Sequence, residues 1–137
     1  MTRLQTAHTP DGRRLEASHV LSVPADDAWE LLADTTRWPD WMPLVNGVEA
    51  TDRRVQTGTT GRIRVSGVWL PFRITDCSRS DRRWRWHLSG MPSGAYRVDA
   101  LEESRCRVAV ELPPHAVGAA PVSLRALESL ESALGAE

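Results

Sequence analysis

The side chains of this chain that could carry acid–base chemistry are few. Tyr96 is the only tyrosine, and His19 and His87 are the histidines that fall within our predicted strands. A phenol or an imidazole can donate a hydrogen bond to a ligand carbonyl or move a proton. Alternation along the strands places Tyr96 and His19 on apolar faces and His87 on a polar face. Tyr96 and His19 are therefore the candidate catalytic residues. For Tyr96 we favour the alternative, a core position with its hydroxyl bound by the backbone.

Three arginines lie in strand-like segments, where a guanidinium could stabilise an anionic ligand. Alternation places Arg64, Arg73 and Arg97 on the outward faces of their strands, so the pattern predicts a solvated surface for all three. A bulge at Pro71 is the feature that could turn Arg73 inward, since proline cannot donate to a strand ladder.

Metal ligands and cofactor motifs are not found in the sequence. No two histidines have the spacing of metal ligands, and His8 and His115 fall in loop-like segments. The sequence contains no GxSxG, no P-loop and no GxGxxG motif. We therefore expect neither a metal nor another cofactor.

Composition predicts one globular domain. The chain has 137 residues, of which 41% are hydrophobic and 26% charged, and its net charge of −1 argues against nucleic acid as a partner. Cys77 and Cys106 lie far apart and indicate free thiols in a reducing cytoplasm. No segment is apolar enough for a signal peptide or for membrane insertion. All 17 basic residues are arginine, which indicates a GC-rich bacterial genome. The oligomeric state stays unknown.

The segment Pro24–Pro43 must position much of the remaining chain. Its helical spacing predicts one helix that ends near Asp34, which also caps a second, very short helix ending before Pro39. This bent pair carries Trp29, Trp38 and Trp41.

Strand patterns and a final helix account for the remaining chain. Leucines at helical spacing predict a helix over Pro121–Leu134, whereas residues 1–13 form a polar leader that is either flexible or a partly ordered edge. The predicted strands are Arg14–Val23, Val45–Val55, Arg62–Ser66, Val68–Cys77, Arg83–Leu88, Ala95–Leu101 and Arg105–Leu112. Consecutive short strands with one apolar face each predict an α+β fold, in which an antiparallel sheet is covered by the C-terminal helix.

The order of elements and one signature carry a resemblance to a known family. The signature comprises Val23–Pro24–Ala25, then Ala28–Trp29–Glu30–Leu31–Leu32–Ala33–Asp34 and Trp38–Pro39–Asp40–Trp41–Met42–Pro43. Together with the hairpin Gly58–Gly61 and the final leucine helix, it resembles the polyketide cyclase/dehydrase-like group of the START/Bet v1 superfamily (SRPBCC). The resemblance covers residues 14–135 and indicates a fold more than a function.

This resemblance implies a helix-grip fold, with about seven antiparallel strands curved around the C-terminal helix and an elongated apolar cavity between them. The residues expected to line the cavity are Trp38, Trp41, Leu70, Phe72, Trp84, Trp86, Tyr96, Val98, Val108, Val110, Leu124 and Leu127. Trp84 and Trp86 either form flat walls for an aromatic ligand or fill the space completely. Related cyclases use a cavity arginine to stabilise an enolate, a role that our strand registers do not give to Arg64, Arg73 or Arg97.

Three functions fit these expectations. The first is binding of a small hydrophobic molecule, lipid-, aromatic- or polyketide-like, in the cavity. The second is a cyclase or dehydratase, which needs at least two convergent polar groups inside; only Tyr96 and His19 are available. The third is an interaction protein whose cavity is filled by tryptophan.

Overall fold

The computed structural model describes residues 2–9, 12–90, 94–113 and 120–135. Its strands are β1 (Thr2–Thr9), β2 (Gly12–Leu21), β3 (Val45–Ala50), β4 (Thr60–Val65), β5 (Val68–Ser78), β6 (Arg83–Leu88), β7 (Gly94–Glu102) and β8 (Arg105–Leu112). The helices are α1 (Ala25–Ala33), α2 (Trp38–Trp41) and α3 (Ala120–Gly135), with a 3₁₀ turn at Thr35–Arg37 between the first two. His115 lies outside the described residues.

All eight strands form one antiparallel sheet in the order β1-β2-β8-β7-β6-β5-β4-β3. The predicted helix-grip fold is confirmed: α3 packs mainly on β2 and α2, with further contacts to β1, β8 and α1. We call the side of the sheet that faces the helices the inner face, and the opposite side the outer face. The strand beyond the seven expected is β1, formed by the segment for which we expected a leader or a partly ordered edge.

The first helix of the pair ends where predicted, but the prediction that the second helix ends before Pro39 is wrong. The 3₁₀ turn Thr35–Arg37 is followed by α2, which contains Pro39 in its first turn, where a missing N–H costs no intrahelical hydrogen bond. Asp26 and Asp27 lie in the first turn of α1, where carboxylates interact favourably with the helix dipole. The helix ends at Ala33, and the Asp34 carboxylate then accepts a hydrogen bond from the Thr36 backbone N–H at 3.0 Å. This cap starts the 3₁₀ turn that leads directly into α2 and its tryptophans.

The register of β5 differs from the expectation at proline. Pro71 pairs regularly with Arg62, and the register shift lies instead between Ile74 and Asp76. The predicted bulge at Pro71 is therefore wrong, and Arg73 stays on the outer face, where it is exposed. The carbonyl of Pro71 accepts a hydrogen bond from the Ser89 backbone N–H at 3.0 Å.

The core lies between the inner face and the helices. It combines α1 and α2 side chains with alternating residues of β2 and β4–β8 and with Leu127 and Leu130 of α3. Cys77 is half-buried and Cys106 is buried, and both are free thiols. Among the described residues, no helix is long and apolar enough to cross a membrane.

Candidate functional site

Six aromatic rings meet on the inner face. Trp38 stacks on Trp84 with ring centroids 5.3 Å apart and an interplanar angle of 17°. It also contacts Phe72 at 5.1 Å and the edge of Trp86 at 5.5 Å. Tyr96 contacts Trp84 at 4.6 Å and Trp41 at 5.3 Å. We call these rings the aromatic cluster: Trp38, Trp41, Phe72, Trp84, Trp86 and Tyr96.

Two hydrogen-bonding anchors hold the helix side of this cluster. The indole N–H of Trp38 donates to the carbonyl of Leu32 in α1 at 3.1 Å, so the ring is fixed to the preceding helix. The Thr35 hydroxyl donates to the carbonyls of Asp52 and Arg53 at 3.0 and 2.9 Å, which ties the 3₁₀ turn to the loop after β3. The loop and α1 together therefore set the position of α2.

Strand alternation supplies the sheet side of the cluster. In β6, Trp84 and Trp86 point inward, while Arg83 and Arg85 point outward. Trp84 lies opposite Tyr96 across the β6–β7 ladder, so their rings meet as cross-strand neighbours. The predicted cavity residues Val98, Val108, Val110 and Leu127 are buried in the same core.

Two donors in the cluster lack an acceptor in the described parts of the chain. The indole Nε1 atoms of Trp41 and Trp84 are buried, and no hydrogen-bond partner for either is found among the described residues. Burial also raises the pKa of the Tyr96 phenol well above its usual value, since a phenolate would lose its hydration there. The inner face thus presents neutral hydrogen-bond donors in apolar surroundings.

One end of the cluster retains accessible apolar surface. Trp86 and Tyr96 keep 9% and 8% of their surface exposed. Leu70 of β5 and Leu124 of α3 are only half-buried against the core. The register places Leu70 near the start of β5, at the end of the sheet where β8 finishes and α3 begins. We call this region the open end.

Gly94 lies where β8 approaches the start of β7 closely. A Cβ atom at this position would lie 3.3 Å from the Glu111 carbonyl oxygen, a tight contact, and 3.6 and 3.8 Å from Leu112 Cδ2 and Trp86 Nε1. The close approach of the Glu111 backbone therefore favours glycine here. The glycine is placed there by the β6–β7 register, in which it pairs with Trp86.

The predicted candidates Tyr96 and His19 are not brought together. His19 Nε2 lies 2.7 Å from Glu131 Oε2 of α3, and it sits on β2, two strands away from Tyr96. The hydrogen bond from His19 lowers the pKa of Glu131. His19 thus links β2 to the C-terminal half of α3, which is a structural contact. His87 is exposed on the outer face, as alternation predicts.

The arginines of the strands differ in burial and in ion pairing. Arg64 and Arg73 are exposed, whereas Arg97 is half-buried and its guanidinium binds Glu16, Asp99 and Glu111 at 2.8–3.1 Å. Arg83 lies on the outer face of β6, yet it is buried and binds Glu111 through Nε and Nη2 at 3.2 and 2.8 Å. Our sequence reasoning missed this network. Its available signal was a lone carboxylate, Glu111, within an apolar strand.

A separate cleft lies at the opposite end of the sheet. It has a volume of about 260 Å³, and Glu30 and Arg54, an ion pair, contribute to its wall. The Asp34 carboxylate at its edge is engaged by Arg53 and Thr36; although burial raises its pKa, these hydrogen bonds outweigh that effect and leave it lowered. The cleft shares no residue with the aromatic cluster. No grouping of potential metal ligands occurs within the described parts of the chain.

Comparison with known proteins identifies the family and the fold. The family model described as polyketide cyclase/dehydrase and lipid transport matches residues 13–135. The aromatase/cyclase ZhuI from Streptomyces sp. R1128 is similar with a TM-score of 0.70 and 19% identity, covering 97% of this chain and 94% of that one. No curated protein matches.

Two further solved structures share the fold at lower identity. A START superfamily protein from Mycobacterium smegmatis has a TM-score of 0.66 and 12% identity, over 90% of this chain and 97% of that one. Norcoclaurine synthase from Thalictrum flavum, in complex with dopamine and hydroxybenzaldehyde, has a TM-score of 0.62 and 11% identity, over 99% and 89%. The match over nearly the whole chain and the helix-grip architecture agree, and the protein belongs to the polyketide cyclase/dehydrase and lipid transport family.

Proposed function

We propose that this protein binds a small hydrophobic molecule with an aromatic part, seated at the open end between the sheet and the first turns of α3. The observation that carries the proposal is the incomplete burial of apolar side chains from both layers. Leu70 of the sheet and Leu124 of α3 are half-buried against the core that contains Trp86 and Tyr96. Apolar groups that converge in this way are typical of ligand sites.

Binding would rest on burial and ring contacts. The fully buried rings Trp38 and Trp84 would form the floor of the site, and the edges of Trp86 and Tyr96 would form its aromatic wall. Covering apolar surface contributes about 25 cal/mol per Å², and offset or edge contacts between rings add about 0.5–1.5 kcal/mol each. A flat ring system would gain both contributions.

The polar groups of the inner face favour binding over turnover. Cyclisation or dehydration would need a second acid–base group beside Tyr96. His19 is held by Glu131, two strands away, and the arginines of β5–β7 point to the outer face. Family membership keeps the cyclase hypothesis open to test: the variant Tyr96→Phe should retain ligand binding, and a loss of turnover on a polyketone would place the phenol in a mechanism.

The experiment compares two leucines that differ in position. Leu70→Glu puts a charge into the open end, whereas Leu101→Glu puts one on an already exposed position near the β7–β8 turn. Fused aromatic compounds and fatty acids would be titrated into each variant, with tryptophan fluorescence and native mass spectrometry as measurements.

We expect a fused aromatic compound to bind the wild type and Leu101→Glu equally. Binding to Leu70→Glu should be at least about tenfold weaker, since an apolar ligand would have to displace water from the carboxylate. Absence of binding across the whole panel would reject the proposal in favour of an interior filled by tryptophan. Equal binding by both variants would place the site elsewhere.

A further inference from the structure

One corner of the sheet exposes two aliphatic side chains to solvent. Leu44 and Val68 keep 65% and 57% of their surface exposed, more than any other large hydrophobic residue that the structure describes. Leu44 directly precedes β3, and Val68 begins β5. Val45 pairs with Val65, and Val65 pairs with Val68, so β4 alone separates the two positions. Two strand spacings amount to about 10 Å, and the two side chains therefore share one surface.

The backbone at Leu44 makes leucine a poor choice for the fold. Its φ of 69° lies in the left-handed region, which glycine and asparagine adopt far more readily than leucine. The position thus combines an unfavourable backbone conformation with an apolar side chain in water. Folding does not account for a leucine here, whereas contact with an apolar partner would.

Arginines lie behind this corner on the outer face. The outer positions of β3, β4 and the first half of β5 include Arg62, Arg64 and Arg73 against one carboxylate, Glu49, which pairs with Arg62 at 2.8 Å. Arg64 lies opposite the half-buried Trp69, and the Arg62 guanidinium lies 4.3 Å from the centroid of the Trp69 ring. Arg64 and Arg73 are exposed and form no ion pair with any residue that the structure describes. This part of the surface is therefore positively charged, although the net charge of the chain is −1.

The carboxylates of the helices do not cancel this charge. Asp26 and Asp27 lie in the first turn of α1, which follows the last residue of β2 and so begins at the opposite end of the antiparallel sheet. Asp40 of α2 is paired with Arg37 at 2.6 Å. The first turn of α3 contains no acidic residue. The corner therefore combines exposed aliphatic groups with an excess of positive charge.

We propose that this corner docks onto an anionic lipid surface. Leu44 and Val68 enter the boundary between headgroups and acyl chains, Arg64 binds lipid phosphates, and Trp69 lies at the level of the headgroups. Aliphatic, arginine and tryptophan side chains occupy these depths at membrane interfaces. Such docking requires no membrane-spanning segment. It goes beyond the proposed ligand binding and does not depend on it.

The chemistry of the corner favours lipid over other anionic partners. Nucleic acid would satisfy the arginines but would leave the two aliphatic side chains in water, and the Trp69 ring is already covered by Arg62. A lipid surface takes up both groups at once. Val68 precedes Leu70 by two residues in β5, so a docked molecule would present the open end to the lipid.

Vesicle flotation tests the charge requirement. We expect the wild type to float with vesicles of equal parts phosphatidylcholine and phosphatidylglycerol at low ionic strength, and to be released by salt or by vesicles of phosphatidylcholine alone. Arg64→Gln should bind about fivefold more weakly, the effect of one basic residue near an anionic surface. Arg79→Gln is the matched control: it removes an exposed arginine in the turn at the other end of β5 and should bind like the wild type.

A second pair of variants separates docking from folding. Leu44→Asn should raise Tm, because asparagine suits the left-handed backbone, and should weaken vesicle binding about tenfold, because the aliphatic contact is lost. Opposite changes in stability and binding cannot result from unfolding. Leu101→Asn changes an exposed leucine near the β7–β8 turn and should leave binding unchanged.

Trp69 offers a reading on the corner itself. It is the one tryptophan of the six that is not buried. Anionic vesicles should shift its fluorescence emission to shorter wavelength, and the shift should disappear in Trp69→Phe. An identical shift in Trp69→Phe would place the lipid contact elsewhere and overturn the inference.

The remaining outcomes are equally decisive. Absence of flotation with anionic vesicles would overturn the inference, and so would equal binding by Arg64→Gln and Arg79→Gln or by Leu44→Asn and Leu101→Asn. A dimer that Leu44→Asn dissociates, in a protein that ignores vesicles, would assign the corner to a second copy of the chain instead. The titrations that test ligand binding contain no vesicles, so either proposal can fail while the other stands.

Discussion

The two faces of the central strands bury polar groups in opposite ways. On the outer face, Arg83 and Arg97 share the carboxylate of Glu111, and Arg97 also reaches Glu16 and Asp99. On the inner face, Trp41 and Trp84 are buried with donors that have no acceptor among the described residues. Both faces are built from the same strands, because successive side chains alternate.

The comparison separates structural from functional polar groups. A buried charge that is fully paired within the chain contributes to the fold and leaves nothing for a ligand to bind. A buried neutral donor without a partner is a cost to the folded state that a ligand could remove. Strongly charged residues therefore mark the structural face here, and the mostly neutral aromatic residues mark the candidate site.

The largest expected effect comes from breaking the outer-face network. Glu111→Gln leaves the buried guanidinium of Arg83 without its carboxylate, and we expect the free energy of unfolding to fall by about 3–5 kcal/mol. Urea denaturation measures this change. Glu49→Gln removes the carboxylate of an exposed pair with Arg62 and should cost less than about 1 kcal/mol. Similar losses in the two variants would show that the outer face is not stabilised by buried pairing.

A second prediction concerns the phenol of the inner face. Burial raises the pKa of Tyr96, so the folded protein keeps this proton at a pH where an unfolded chain has lost it. Its contribution to stability is thus complete below pH 10 and declines as the pH rises further.

Because Tyr96 is the only tyrosine, phenolate absorbance reports on it alone. In an alkaline titration, the absorbance should appear together with the loss of the folded circular dichroism signal. A phenolate formed near pH 10 in a protein that remains folded would contradict the described burial.

The smallest expected effect concerns His19 and Glu131. The hydrogen bond from His19 lowers the pKa of Glu131, so this contact stabilises the fold above the ordinary carboxyl value of 4.5 and is lost as the pH falls below it. Since Glu131 is largely exposed, Glu131→Gln should reduce Tm only slightly at neutral pH and not at all near pH 3. Ligand affinity should stay unchanged. A large loss of ligand affinity in this variant would indicate that His19 contributes to the ligand site.

Local patterns predicted much of the fold. The bounds of Arg83–Leu88 and Arg105–Leu112 match β6 and β8, because a regular alternation of side chains is a local property. The cap at Asp34 was equally predictable from the sequence, since it depends on residues two positions apart. By contrast, β1 has little apolar alternation; it pairs with β2 through its backbone, which side-chain patterns do not report.

The sequence predicted which residues belong to the candidate site, but it did not predict how they contact one another. The sequence indicated that Trp38, Trp84 and Tyr96 would share an interior. It could not indicate that Trp38 stacks on Trp84, since that contact joins a helix to a strand 46 positions away and depends on the tertiary fold. The partnership of Arg83 with Glu111 was hidden for the same reason, because β7 lies between their strands.

The anchoring of α2 has a consequence for how a ligand could enter. Trp38 is tied to Leu32, and Thr35 is tied to Asp52 and Arg53, so the helix pair is fastened on two sides. A ligand that entered through this segment would have to break all of these hydrogen bonds. Entry by the half-buried Leu70 and Leu124 requires no such rupture. A ligand should thus enter beside the first turns of α3, while the helix pair stays in place.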